Sequence, residues 1–223
     1  MSKWLRPAAA VGVLLLMSGC VSTVTKKEAF PTMYQERPLS ILVLPPINET
    51  TAADAKEYYS TTLAQPLTSM GYYVFPIEVV TEMMQHEGAY DTETLVDVAP
   101  QKFKEYFGAD AVLTVRITKW DTAYYVIGGH VSVGVNCLLR STTTGAELWK
   151  YNGVLAVSTS GNVGGGGLVG LAVNIVVTAV KTAMADYMPV ARQANAMVIS
   201  TIPYGKYHPL QGQDQDTPIL QQK

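Results

Sequence analysis

AVLTVRITKW, residues 111–120, decides the fold. Leu113, Val115 and Ile117 alternate with Thr114, Arg116 and Thr118. A period of two places the apolar side chains on one face of an extended chain. Residues 126–140 alternate again, with Val131, Val133, Val135, Cys137 and Leu139 sharing one parity. After the turn-rich stretch Ser141–Gly145, residues Glu147–Val157 read as a third strand. Three strands joined by short connections predict an antiparallel meander with one apolar and one wetter face.

Upstream, Leu39–Leu44 is a short apolar run closed by Pro45-Pro46, the pattern of a buried strand. Asn48, Thr50 and Thr51 offer helix caps, and Asp54–Met70 repeats apolar residues at helical spacing. Pro66 should kink that helix and Gly71 stop it. Tyr72–Phe75 reads as a second strand ended by Pro76, and Glu78–Glu87 as a helix. Pro100–Phe107 reads as another helix, with Gly108 as its stop. Helical connections between the first strands predict parallel pairing. The expected fold is therefore α/β, a mixed sheet of about five strands. Two are parallel through helical crossovers, the meander follows, and helices pack on the sheet.

Downstream, Ser158–Gly167 is polar and then glycine-rich. Leu168–Met184 is apolar almost all round, with Lys181 its single charge, and Pro189–Ile199 completes a C-terminal helical pair. An apolar helix of that kind is buried, covered by a second subunit, or in contact with a membrane. It is too short to span one. The tail from residue 201, rich in Gln, Pro and Asp, reads as disordered.

The amino terminus reads as an address. Lys3 and Arg6 precede the apolar stretch Ala8–Met17, which ends in Ser18-Gly19-Cys20. A basic region, an apolar region and small residues describe a secretory signal peptide. Its ending resembles the bacterial lipobox, with Met17 where that motif prefers Leu. The resemblance implies cleavage before Cys20, which would then carry N-palmitoyl and S-diacylglycerol groups. Several acyl chains give stable anchoring, where one is marginal. Val21 stands where the inner-membrane retention signal resembles an Asp, so the expected place is the outer membrane, its periplasmic face favoured over the cell surface. The organisation expected is signal peptide 1–19, lipidated tether 20–38, one α/β domain 39–200 and tail 201–223.

Composition narrows function by exclusion. Of 223 residues, 48% are hydrophobic and 15% charged, which provides a core and excludes whole-chain disorder. The net charge of −2 becomes −4 without residues 1–19, which hold two cations and no acid. A nucleic-acid partner is not expected of such a chain. Two cysteines exclude a disulfide scaffold, and with Cys20 acylated Cys137 reads as a small buried residue.

Catalytic patterns fail one by one. Gly165, Gly167 and Gly170 fit G-x-G-x-x-G, but the preceding strand closes a meander and no strand-borne acid follows. Gly166 and Gly170 read better as small residues that let another helix approach. His86, Glu87 and Asp91 cannot share one helix face, and His130 and His208 are remote in sequence. No G-x-S-x-G motif and no phosphate-loop ending is present. No catalytic residue, cofactor or metal is expected. In a strand, one ring of each pair Tyr58-Tyr59, Tyr72-Tyr73 and Tyr124-Tyr125 can pack inside while the other is displayed for protein contact, and a half-exposed structural tyrosine is the more ordinary reading of any single one.

Leu44-Pro45-Pro46-x-Asn48, Pro66-Leu67, Gly71-Tyr72-Tyr73-Val74-Phe75-Pro76, Phe107-Gly108-Ala109-Asp110-Ala111 and Thr144-Gly145-x-x-Leu148-Trp149 carry a family resemblance. They look like the bacterial lipoproteins of unknown function first noted among neisserial surface antigens, across about residues 20–200. The resemblance implies a fold similar to the amino-terminal domain of the Tol–Pal propeller protein. It also implies a context shared with a curli-channel-like lipoprotein, and it assigns no catalytic residue. The function expected is a non-enzymatic adaptor in envelope assembly or secretion, anchored in the outer membrane. Its partners would be other envelope lipoproteins or copies of itself. Regulation of peptidoglycan synthesis and ligand binding in the periplasm are the alternatives.

Overall fold

The computed structural model describes residues 23–88, 92–125, 128–158, 175–176 and 187–221. The meander is its largest feature. Strands β5 (Ala111–Tyr125), β6 (Gly128–Ser141) and β7 (Glu147–Ser158) pair antiparallel, with Leu113 opposite Leu139 and Leu139 opposite Trp149. A bulge interrupts β5 between Ile117 and Lys119. The buried parity therefore passes from Ile117 to Trp120, across an interval of three. Gly134 of β6 makes room for it, because a Cβ there would lie 2.7 Å from Cβ of Lys119.

Strand β2 (Ser40–Val43) lies parallel to both β5 and β4 (Tyr73–Val74). Short β3 (Ile47–Asn48) extends along β5, and β8 (Ile175–Val176) lies parallel to β7. The order is β4-β2-β5-β6-β7-β8. The expected mixed sheet is present, with two short strands beyond the five expected.

Helices cover β2 on both sides, which is why its sequence is a continuous apolar run. Ile41 and Val43 join the main core with α3 (Ala55–Thr61), α4 (Ala64–Ser69) and α8 (Met188–Ile199). Leu42 and Leu44 join a smaller core under α5 (Ile77–His86), α6 (Thr92–Leu95) and α7 (Pro100–Phe107). Each such buried aliphatic side chain contributes about 1.5–3 kcal/mol relative to exposure.

The helix expected over 54–70 is two helices. Pro66 has no N–H to bond the preceding turn, and the chain breaks at Thr62 and Leu63. Asn195 of α8 fills the break, its Nδ2 donating to Tyr59 O at 2.9 Å and to Thr62 Oγ1 at 2.7 Å. Of the other member of the expected helical pair, residues 168–184, the described residues are Ile175 and Val176, and they form strand β8 against β7 instead of a helix.

Both ends depart from expectation. In place of an irregular tether come β1 (Thr23–Thr25), α1 (Lys26–Ala29) and α2 (Pro31–Glu36). In place of a disordered tail, residues 203–217 form turns that lead into β9 (Pro218–Leu220), antiparallel to β1. Burial supplies the reason: Phe30, Met33, Ile202 and Ile219 all belong to the main core.

Cys137 is wholly enclosed, and burial pushes its thiol up to about 12. Its folded value exceeds its ordinary one, so the contribution is complete below pH 9 and is lost as pH rises toward 12. A thiol reagent at pH 8 should leave Cys137 unmodified in the folded protein and label it only in denaturant. Gly71 has φ +89°, and a Cβ there would lie 2.3 Å from the amide nitrogen of His208. Gly71→Ala should cost about 2 kcal/mol or more in urea unfolding. Gly88→Ala, at φ +82° in open space, should cost only about 1 kcal/mol.

Candidate functional site

The motifs singled out in the sequence turn out to build the fold. Asn48 caps no helix; its Oδ1 accepts from the amide and hydroxyl of Thr50, and its Nδ2 donates to Ala52 O. Gly108 ends α7 in the left-handed conformation, φ 71°. Asp110, two positions on, ties strand to strand: Oδ2 accepts from the amides of Leu39 and Ser40 and from the Ser40 hydroxyl. Burial raises its pKa, but these bonds and Lys104 outweigh that and hold the carboxyl below its usual range. Gly145, φ 76°, closes the turn between β6 and β7.

Of the tyrosine pairs whose side chains are described, Tyr72-Tyr73 divides into a buried and a displayed ring, while Tyr58 beside buried Tyr59 is half-buried against the core on helix α3. Tyr72 is buried, its hydroxyl donating to Pro203 O at 2.6 Å, while Tyr73 is 53% exposed. Tyr59 is enclosed beside the Cys137 thiol, and Tyr58 stacks on Trp120 with ring centres 6.5 Å apart. Burial raises the Tyr59 and Tyr72 phenols well above their ordinary value, so neither supplies a phenolate at neutral pH.

The histidines are dispersed. His86 is exposed on α5, 3.9 Å from Glu82. His130 lies in β6, and His208 stacks on Tyr204 at 3.7 Å. Among the described residues no three acidic, histidine or cysteine side chains are grouped as metal ligands would be. No described helix is long and apolar enough to cross a membrane. Cys20, the signal peptide, Asp91, the glycines at 165–170 and the apolar segment apart from Ile175 and Val176 lie outside the described residues.

The most developed polar constellation joins the two ends of the chain. Lys26 opens α1 and is 3% exposed. Its ammonium donates to Ser200 O at 3.0 Å, Ile202 O at 2.8 Å and Asp214 Oδ2 at 3.3 Å, and sits 5.2 Å from the centre of the Tyr204 ring. Three donors meet three acceptors. Burial lowers the lysine's pKa and the Asp214 charge works the other way. Asp214, also 3% exposed, accepts from the Tyr204 amide at 2.9 Å and from the Tyr34 hydroxyl at 3.1 Å.

Beside this clamp, α1 and α2 face the turns of residues 203–215 across a cavity of about 390 Å³. Lys27, Arg37 and Lys206 line it together with the rings of Tyr34 and Tyr204. A second cavity of about 480 Å³ shares Arg37 and Lys206 with it and contains Glu36 and Asp110. Sequence reasoning missed this site because it assigned both walls to unstructured segments. The readable signal was Thr25-x-x-Glu28, a capping box whose two reciprocal bonds both form.

The protein is 30% identical over 176 residues to "Putative lipoprotein NMB1124/NMB1162" of Neisseria meningitidis serogroup B, covering 79% of this chain and 81% of that one. It is similar in structure to the lipoprotein GNA1162 of Neisseria meningitidis, with TM-score 0.50 and 33% identity over 60% of this chain and 92% of that one. A PelC dodecamer from Paraburkholderia phytofirmans is a looser match, TM-score 0.47 and 16% identity over 83% and 96% of the two chains. Residues 29–207 match the family model described as "Putative lipoprotein GNA1162-like", and the chain belongs to that lipoprotein family.

Proposed function

We propose that the protein is a non-enzymatic accessory of the bacterial envelope, anchored in the outer membrane through acyl groups on Cys20. It presents a folded adaptor surface to other envelope proteins. The single observation that supports this most is the clamp. Lys26, six positions after Cys20, is buried against Asp214, and β1 is already formed at Thr23. Thr23 is three positions from Cys20, a separation of at most about 10 Å whatever the conformation between them. A body held that close acts at the membrane it is anchored to.

Partners are then proteins at the same surface: other lipoproteins, a curli-channel-like lipoprotein among them, or copies of this chain. Regulation of a peptidoglycan synthase by this protein alone would require reach away from that surface, which so short a separation does not supply, although a stacked complex would.

Cys20→Ser should move the protein from the membrane fraction to the soluble one. Persistence in the membrane would defeat the anchor. Crosslinking in intact cells should join the wild-type protein to envelope proteins at the same membrane, and recovery of none would defeat the adaptor role. Lys26→Met should cost about 3–5 kcal/mol in urea unfolding, since it leaves the Asp214 charge buried without its cation. Adding Asp214→Asn to Lys26→Met should recover part of that loss, and simple additivity would contradict the pairing.

A further inference from the structure

We infer that the cavity between α1–α2 and residues 203–215 binds a phosphate-bearing anion, supplied by a lipid headgroup of the membrane to which the protein is anchored. Lys27, Arg37 and Lys206 line it, and no carboxylate does. That is a local excess of three cations on a chain of net charge −2. None of the three takes part in an ion pair among the described residues. Three acids around it are committed elsewhere. Asp214 is bonded to Lys26, Glu36 accepts from the Thr144 hydroxyl at 2.7 Å, and Asp110 is held by Leu39, Ser40 and Lys104.

The cavity is also built in advance. Tyr204 is fixed between the Lys26 ammonium and the His208 ring, and the Tyr34 hydroxyl is bonded to Asp214. Arg37 is the one non-glycine residue with positive φ among the described residues, at 48°. Its Nε donates to the Tyr34 carbonyl at 3.1 Å, which ties the guanidinium to the end of α2 at the cavity wall. Guanidinium and ammonium groups around tyrosine and proline surfaces suit a phosphate ester with an apolar stem. Lys27 is seven positions from Cys20, so a headgroup beside the anchor is the nearest source. That choice of source rests on the anchor proposed above; the phosphate chemistry does not.

The test uses the full-length acylated protein in nanodiscs of phosphatidylcholine, with or without phosphatidylglycerol, and free glycerol phosphate as a soluble probe. Phosphatidylglycerol should slow amide exchange in residues 31–38 and 203–212 by about threefold or more relative to phosphatidylcholine alone. The substitutions Lys27→Gln, Arg37→Gln and Lys206→Gln together should abolish the slowing. Arg37→Gly should weaken it while leaving the melting temperature unchanged or raised, a result that loss of folding cannot mimic. Slowing by glycerol phosphate but not by phosphatidylglycerol would overturn the lipid source and retain the phosphate site. No slowing by either probe, or slowing that survives the triple substitution, would overturn the site itself. Incorporation into nanodiscs reads the anchor separately: protein that fails to enter them defeats the anchor, and glycerol phosphate then tests the cavity in solution.

Discussion

The Lys26 ammonium holds the two ends of the chain in one place. A lysine this deeply enclosed is unstable unless every N–H finds an acceptor and a counter-charge sits close by. Ser200 O, Ile202 O and Asp214 provide both, and all three come from the carboxyl-terminal fifth of the chain. The two ends therefore order each other. Once Lys26 and Asp214 meet, β1 and β9 can pair, and Phe30, Met33 and Ile219 can enter the main core. The same meeting creates the basic cavity, whose walls are the segments the clamp brings together.

Sequence alone was a good guide wherever the signal was local. The alternation over 111–157 located the meander, and Pro100 and Gly108 bounded α7 at the residues observed. The reading of the ends failed because polar, proline-rich composition describes a segment without its partner. Lys26 and Asp214 are 188 positions apart, and nothing near either residue reveals that the other will neutralise it. The bulge in β5 was hidden for a related reason. Apolar parity changes at Trp120, but only the opposing Gly134 shows that the strand continues through the change.

The family motifs look different once their atoms are placed. Asn48, Gly71, Gly108, Asp110 and Gly145 are turn and cap residues, each answering a backbone requirement. They identify the fold and place no reactive group. The candidate site lies instead in side chains that belong to no family motif: Lys27 sits on a helix of four residues and Arg37 caps one of six, both too short to show a period. Fold was therefore more legible than site, and the chemistry of the site emerged only after two distant segments had been set side by side.

Anchoring changes what such a surface must accomplish. Free in solution, a modest interface has to overcome the lost translational and rotational freedom of both partners. Two proteins fixed to one membrane have already lost much of it, and contact between them resembles an intramolecular event at high effective concentration. The benefit depends on the distance to the anchor, because effective concentration falls as a linker outgrows the distance it must span. With β1 three positions after the proposed anchor at Cys20, that distance would be short and the set of orientations restricted. Of the large exposed apolar side chains, Val79 and Met83 lie one turn apart on α5, while Tyr73, Tyr106 and Val154 come from β4, α7 and β7. Small apolar contacts of that kind are weak between freely diffusing proteins, and the proposed anchor is what would let them count between partners in one plane. A cavity that takes a headgroup would add the remaining constraint by fixing which face points away from the lipid.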